Sequence, residues 1–239
     1  MAELRLLSYN VRSLRDDPAA VAEVIRACQP DVVAVQEAPR FLRWRSKRAA
    51  LARESELVVA TANRPGGLML MTTLAVAVRG TGFALLPKTP KLHQRAVCLA
   101  DIELRGARWT IASIHLSLDD AERSQHLPAL WHALDVDEAG GRPADAAPIV
   151  VAGDVNERPS GAVWSALGER LQDAYAVAPA GPGDTYSSRR PHKRIDGVFA
   201  ERRVDVVSCT AVHGGADVDP EVLARATDHL PVLAVLRQH

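Results

Sequence analysis

Aromatic residues are scarce in this chain. Phe, Trp and Tyr make up 4% of its 239 residues, so any core must be filled by Val, Leu and Ala. Cysteine is scarcer still. Cys28, Cys98 and Cys209 form an odd, widely spaced set with no complete disulfide framework and no metal-knuckle spacing, which points to a reducing compartment. A net charge is lacking as well. Lys+Arg and Asp+Glu each total 29, so nothing global advertises a nucleic-acid or membrane partner, and any such preference must be local. Long apolar runs are missing too. The longest, around LMLMTTLAVAV, is far short of the ~20 residues a membrane span needs. The opening MAELRLLSYN carries an early acidic residue and no stretch resembling a signal peptide. These absences lead to the expectation of a cytoplasmic protein with no membrane span.

What is present suits one large domain, residues 1–239, because no linker interrupts the pattern. Hydrophobic residues reach 47%, enough for a sizeable core. Strand-like segments recur: LRLLSYNV, DVVAVQE, LVVATA, LAVAVR, RAVCLADIEL, RWTIASIHL, PIVVAGDV, RIDGVFA, VDVVSCTAV and LPVLAVL, short, Val- and Ile-rich and bounded by Gly, Pro or charge. Three helices are expected between them. Pro18 to Cys28 places Val21, Val24, Ile25 and Cys28 on one face, and Glu122 to Asp137 does so with Leu127, Leu130, Trp131 and Leu134. Ser160 has the character of an N-cap for the third, which runs through Trp164 and Leu167. DEAGGRPADAAP reads as a surface loop. Many strands with few helices imply a mixed α/β domain, with sheets packed face to face and helices outside.

The informative positions are polar residues that end apolar strands. Asn10 ends LLSYN, Glu37 ends DVVAVQE, His115 ends TIASIH, and Asp154 with Asn156 ends IVVAGDVN. Asp196 interrupts RIDGVF, and Asp228-His229 opens the last strand. Each alone is most simply a turn former, a solvated strand end or a satisfied core histidine. Together they argue otherwise, because burying so many carboxylates and imidazoles apart from one another costs several kcal/mol for each unpaired group. At one sheet edge they satisfy one another or a metal ion. Carboxylates with amide oxygens suit Mg²⁺, and two histidines with carboxylate partners suit proton transfer.

The ordered series SYNVR, VVAVQE, SIHL, VAGDVN, RIDGVF and TDHLPV resembles the endonuclease/exonuclease/phosphatase family, the superfamily of deoxyribonuclease I and exonuclease III. The resemblance runs from Asn10 to His229 with every motif in family order. It implies a four-layer α/β sandwich, two packed mixed β-sheets flanked by helices, with the site where strand ends of both sheets meet. It also implies roles. Glu37 would be the principal metal ligand, with Asn10 and Asp228 nearby, for Mg²⁺ with Mn²⁺ as substitute. Asp154 and Asn156 would position or deprotonate the attacking water, and His115 would stabilise phosphoryl oxygens. Asp196 would orient His229 as a charged or proton-donating pair.

Arg12, in NVRSL, resembles deoxyribonuclease I at that position. The tryptophan-rich loop of exonuclease III relatives is replaced by DTYSSRRPHKRID, so dedicated abasic-site repair is not expected. The Cys-Asp-Arg signature of inositol polyphosphate 5-phosphatases is absent, and few aromatics remain for the membrane-meeting loops of sphingomyelinase relatives. Basic residues cluster at RFLRWRSKRAALAR, KTPKLHQR and RRPHKR, each adjoining a motif. The first could equally be a solvated helix face. As a rim, the three would offer Arg95, Arg189, Arg190 and Lys193, with Arg12, to a polyanion. Trp44 and Tyr186 could stack on bases or serve the core. The expectation is a monomeric metal-dependent phosphodiesterase acting on nucleic acid. A phosphatase or phosphodiesterase for a small phosphorylated metabolite or lipid headgroup is the alternative, and a catalytically dead binding module is the third.

Overall fold

The structure is a computed structural model describing residues 2–61, 65–137, 142–143, 145–214 and 218–238. The chain runs β1 (Ala2–Asn10), α1 (Pro18–Cys28), β2 (Val32–Gln36), α2 (Trp44–Glu54), β3 (Val58–Val59), β4 (Met69–Thr72), β5 (Ala77–Leu85), β6 (Ala96–Leu104) and β7 (Ala107–His115). It continues through α3 (Asp120–Leu134), β8 (Ile149–Asp154), α4 (Ala162–Arg170), β9 (Gln172–Asp173), α5 (Ala174–Val177), β10 (Asp196–Ala200), β11 (Asp205–Ala211), α6 (Pro220–Ala226) and β12 (Val232–Gln238). Two six-stranded sheets result, ordered β11-β12-β1-β2-β4-β3 and β5-β6-β7-β8-β10-β9. Each is mixed: β1–β2 and β7–β8 pair in parallel, and the other pairs are antiparallel. The parallel pairs are linked through α1 and α3, as parallel strands need a crossover connection.

Three apolar layers follow from the alternation of side chains along a strand. Leu4, Leu6, Val32, Ala34, Trp109, Ile111, Val150, Ala152, Val198, Ala234 and Leu236 face the space between the sheets. Their neighbours Leu7, Tyr9, Val33 and Val35 face α1, α2 and α6. On the far side Ile114, Ile149, Val151 and Phe199 meet α3 and α4. The expected four-layer α/β sandwich is therefore present, with an inter-sheet core drawn from Leu4 through Leu236.

Local signals explain the helix limits. Asp17 caps α1 by accepting from the Ala20 N–H, with Pro18 in the first turn, and Gln29 ends it in the left-handed region. Asp119 caps α3 through the Glu122 N–H at 2.8 Å, so that helix starts two residues earlier than expected and ends at Leu134, before Asp135 at φ 55°. The expected cap of α4 is corrected: Gly161, not Ser160, precedes the helix, and the Glu157 carboxylate takes the Trp164 N–H at 2.8 Å. LVVATA yields only the two residues of β3, and LAVAVR forms β5 from Ala77 onward. Thr227-Asp228-His229 does not open the last strand but lies between α6 and β12. The DEAGGRPADAAP loop falls partly at 138–141 and 144, outside the described residues.

Candidate active site

The alternation that builds the core also builds the site. Beyond Leu6 on β1 the inward positions are Ser8 and Asn10; beyond Ala34 on β2 comes Gln36; beyond Ile111 on β7 come Ser113 and His115. Asp154 follows Ala152 on β8, and Asp196 precedes Val198 on β10. One end of the inter-sheet space thus turns polar strand by strand. Gln36, fully buried, bridges the sheets by donating from Nε2 to Ser113 Oγ at 3.2 Å, while Ser8 donates to its Oε1 at 3.4 Å. This polar floor separates the apolar core from the ionisable groups above it.

Asp154 is the centre. Asn10 Nδ2 donates to its Oδ2 at 3.0 Å and the Asn156 N–H to its Oδ1 at 2.9 Å. His115 Nε2 lies 3.5 Å and His229 Nε2 3.9 Å from the same Oδ2. Burial, then the charge of Asp196, pushes the Asp154 carboxyl up. Gly153 makes this placement possible, because a Cβ there would stand 2.0 Å from the Ile114 carbonyl oxygen. His229 Nδ1 donates to Asp196 Oδ2 at 2.9 Å, and Tyr186 packs edge-on against its ring at 5.1 Å. Burial alone would discharge His229, but the Asp196 carboxylate, helped by Asp154, outweighs it and raises the imidazolium to about 10. His115 goes the other way: burial, then the Arg95 charge, lowers its pKa well below the ordinary value and leaves it neutral.

Glu37 follows β2 at φ 52°, a left-handed conformation unusual outside glycine, which turns its carboxylate back toward Asn10. Asn10 Nδ2 reaches Glu37 Oε1 at 3.4 Å. The donor set fits a hard divalent cation. The oxygen donors are the carboxylates of Glu37 and Asp154, to both of which Asn10 Nδ2 now donates while its Oδ1 accepts from the Arg12 N–H, and Asp196 Oδ1, buried with no hydrogen-bond partner. Donor atoms of Asp154, Asp196 and His229 also lie within 4.8 Å of one another. The imidazole of that trio is already committed to Asp196, which leaves the Glu37–Asn10–Asp154 side as the better cation seat.

Not every expected residue converges. Asp228 points to Arg12, with Oδ2 3.3 Å from the guanidinium Nε, and the two line a neighbouring depression with Arg189. Arg12 also pairs with Asp16 at 3.3 Å. Arg95 and Lys193 do line the main cleft, of about 700 Å³, together with Glu37, His115, Asp154, Asn156 and His229. Arg190 lines neither. Arg194, two residues before Asp196, bonds Asp173 at 2.8 Å and stacks on Trp164 and Tyr175. Tyr186 reaches the cleft, whereas Trp44 lies under the guanidinium groups of Arg45 and Arg48. Sequence reasoning did not single out Arg15, Arg40, His93 and Arg158, which also line the cleft. Arg40 and His93 lay within basic stretches that it had marked.

A family model described as the Endonuclease/Exonuclease/phosphatase family matches residues 7–229. A search of the curated proteins found no match. Among solved structures, an endonuclease/exonuclease/phosphatase from Bacteroides vulgatus is similar at TM-score 0.79 and 21% identity, over 100% of both chains. The mannosyl-6-phosphatase Bt3783 of Bacteroides thetaiotaomicron is similar at TM-score 0.77 and 16% identity, over 98% of this chain and 99% of that one. TDP2 from C. elegans is similar at 0.73 and 17%, over 98% of this chain and 75% of that one.

Proposed function

The chain belongs to the endonuclease/exonuclease/phosphatase family, and on that premise we propose that it is a divalent-cation-dependent phosphodiesterase acting on nucleic acid. One observation carries the choice of substrate. Arg15, Arg40, Arg95, Arg158 and Lys193 reach the cleft from five different connections, against Glu37, Asp154 and Glu157 as its carboxylates. A single phosphate needs one or two such cations; a row of phosphates uses them all.

Glu37 and Asp154, on either side of Asn10, would hold Mg²⁺ or Mn²⁺, which when bound polarises the phosphoryl oxygens and offsets developing charge. The chain's own residues supply the rest. Asp154, its orientation fixed by Asn10 and the Asn156 N–H, takes the proton of the attacking water. His229, kept protonated by Asp196, donates a hydrogen bond to a phosphoryl oxygen. Neutral His115, its Nδ1 buried without a partner, offers Nε2 to the same group. As water oxygen bonds to phosphorus, the P–O ester bond breaks, and the leaving oxygen keeps the bond's electron pair and takes a proton from solvent, the attacking water's proton having gone to Asp154.

The second reading is a phosphatase for a small phosphorylated metabolite. Its support is Bt3783, named a mannosyl-6-phosphatase and matched over nearly its whole length. Activity on single-stranded DNA, plasmid DNA, RNA, phosphoinositides and sugar phosphates, each with Mg²⁺ and Mn²⁺, separates the two. Hydrolysis confined to sugar phosphates would refute the nucleic-acid reading.

A further inference from the structure

Most exposed apolar side chains on a protein surface need no explanation. Two here do. Phe41 and Leu118 are 78% and 75% exposed, and of the described large hydrophobic residues that are exposed, these two line the catalytic cleft. They come from different sheets: Phe41 stands four residues after Glu37, beyond β2, and Leu118 three residues after His115, beyond β7.

Both sit on anchored backbone. The Ala38 N–H donates to the Gly67 carbonyl at 2.7 Å, and buried Arg48 donates to the carbonyls of Pro39 at 2.9 Å and Leu68 at 3.1 Å. The Trp44 N–H closes the turn onto the Phe41 carbonyl at 2.9 Å. Beside Leu118, Arg123 Nη1 donates to the Ser117 carbonyl at 2.6 Å, and the Asp119 N–H donates to Ser117 Oγ at 3.2 Å. Arg40 places its guanidinium 5.6 Å from the centre of the Phe41 ring. An aromatic ring with a cation over it and an aliphatic side chain thus line one cleft, on anchored backbone, beside the phosphate-handling residues.

We propose that Phe41 and Leu118 form a base-binding subsite that takes an unstacked nucleobase next to the scissile phosphate, so that the preferred substrate is a single-stranded nucleic acid. Rings inside a duplex are already stacked and cannot enter; a base in a single strand is free to leave water for Phe41. Stacking of this kind tolerates any base, because every base has a π-face. This inference rests on the nucleic-acid reading above and adds the strand state and the residues that read it.

The test compares kcat/KM on a single-stranded oligonucleotide with kcat/KM on the same strand carrying base-free residues around the cleavage point. Wild type should prefer the base-bearing strand by ~10-fold or more, the equivalent of ~1.4 kcal/mol. Phe41→Ala and Leu118→Ala should each narrow that preference, while Phe41→Trp should keep it. A preference unaltered by Phe41→Ala and Leu118→Ala, on an enzyme that does cut oligonucleotides, would overturn the subsite alone. Cleavage of no oligonucleotide by wild type would overturn the nucleic-acid reading, and the subsite with it. Phe41 also adjoins Leu42, 84% exposed, and the basic α2. Sedimentation with phosphatidylserine vesicles that is lost in Phe41→Ala and Leu42→Ala would mean that the patch meets a lipid surface, against the proposal.

Discussion

Replacing Asp196 by Asn removes one negative charge at almost constant volume, which isolates the electrostatics of the site. His229 Nδ1 and Asp196 Oδ2 are 2.9 Å apart, with side chains 8% and 2% exposed. Burial lowers the His229 pKa, yet Asp196 and the nearby Asp154 and Asp228 lift it to about 10. Because this lies above the ordinary 6.5, the pair's stabilisation is complete below about pH 6.5 and is lost as pH rises through about 10. A close opposite charge is worth ~1–3 pKa units, or ~1.4–4 kcal/mol, in line with the ~3–5 kcal/mol cost of breaking a buried pair. Asp196→Asn should therefore lower unfolding free energy by ~2–4 kcal/mol near neutral pH. The difference should shrink in alkaline buffer. Urea unfolding across that range gives the stability arm, and an imidazole NMR titration gives the His229 pKa directly. The alkaline limb of kcat should move toward neutrality by the same number of units. A destabilisation independent of pH, or a His229 that still titrates near 10, would refute the electrostatic account.

Glu37→Gln should weaken Mg²⁺ and Mn²⁺ binding by ~10-fold or more, ~1.4 kcal/mol per decade, with the fold intact; isothermal titration reads this without turnover. Lys193→Ser should raise KM for single-stranded DNA and reduce the dependence of log affinity on log salt by ~0.7 for one lost phosphate contact. Arg190→Ser, outside the cleft, should leave that slope unchanged, and filter binding at several salt concentrations distinguishes the two. Gly153→Ala should destabilise by more than ~3 kcal/mol, seen as a lower Tm, because its Cβ would meet the Ile114 carbonyl at 2.0 Å. A Tm within a degree or two of wild type would show that β8 has room to shift.

The parts of the fold that were legible in the sequence are those governed by short-range periodicity. Val- and Ile-rich runs located most of the strands, and the i, i+3, i+4 pattern located α1 and α3. The polar residues that interrupt those runs were Asn10, Glu37, His115, Asp154 and Asp196; Glu37, His115 and Asp154 line the cleft, with Asn10 and Asp196 bonded to Asp154 and His229 behind them, because strand alternation carries inward-facing apolar positions into polar ones. What was not legible depends on backbone turns and distant partners. Arg12, Ser13 and Leu14 all take positive φ, of 44°, 58° and 55°. No side-chain pattern announces that turn, and it sets Arg12 against Asp228. The partnership of Arg194 with Asp173 spans 21 residues, beyond the reach of any local pattern. β4 was hidden in the continuous run LMLMTT, where a buried strand has no alternation to read. Arg15 and Arg158 lie on connections, where periodicity carries no information about direction.

In the proposed reaction Asp154 and His229 act together in metal-dependent phosphodiester hydrolysis. The most direct measurement is the single-turnover rate on a labelled single-stranded oligonucleotide, with Mg²⁺ and with excess EDTA, for wild type, Asp154→Asn, His229→Ala and the double variant. Cleavage should stop in EDTA, and each single variant should lose most of its activity. The double variant should be little slower than the slower single, because groups that act as a unit are non-additive. Undiminished turnover in EDTA, near-full activity in either single variant, or losses that simply multiply would contradict it.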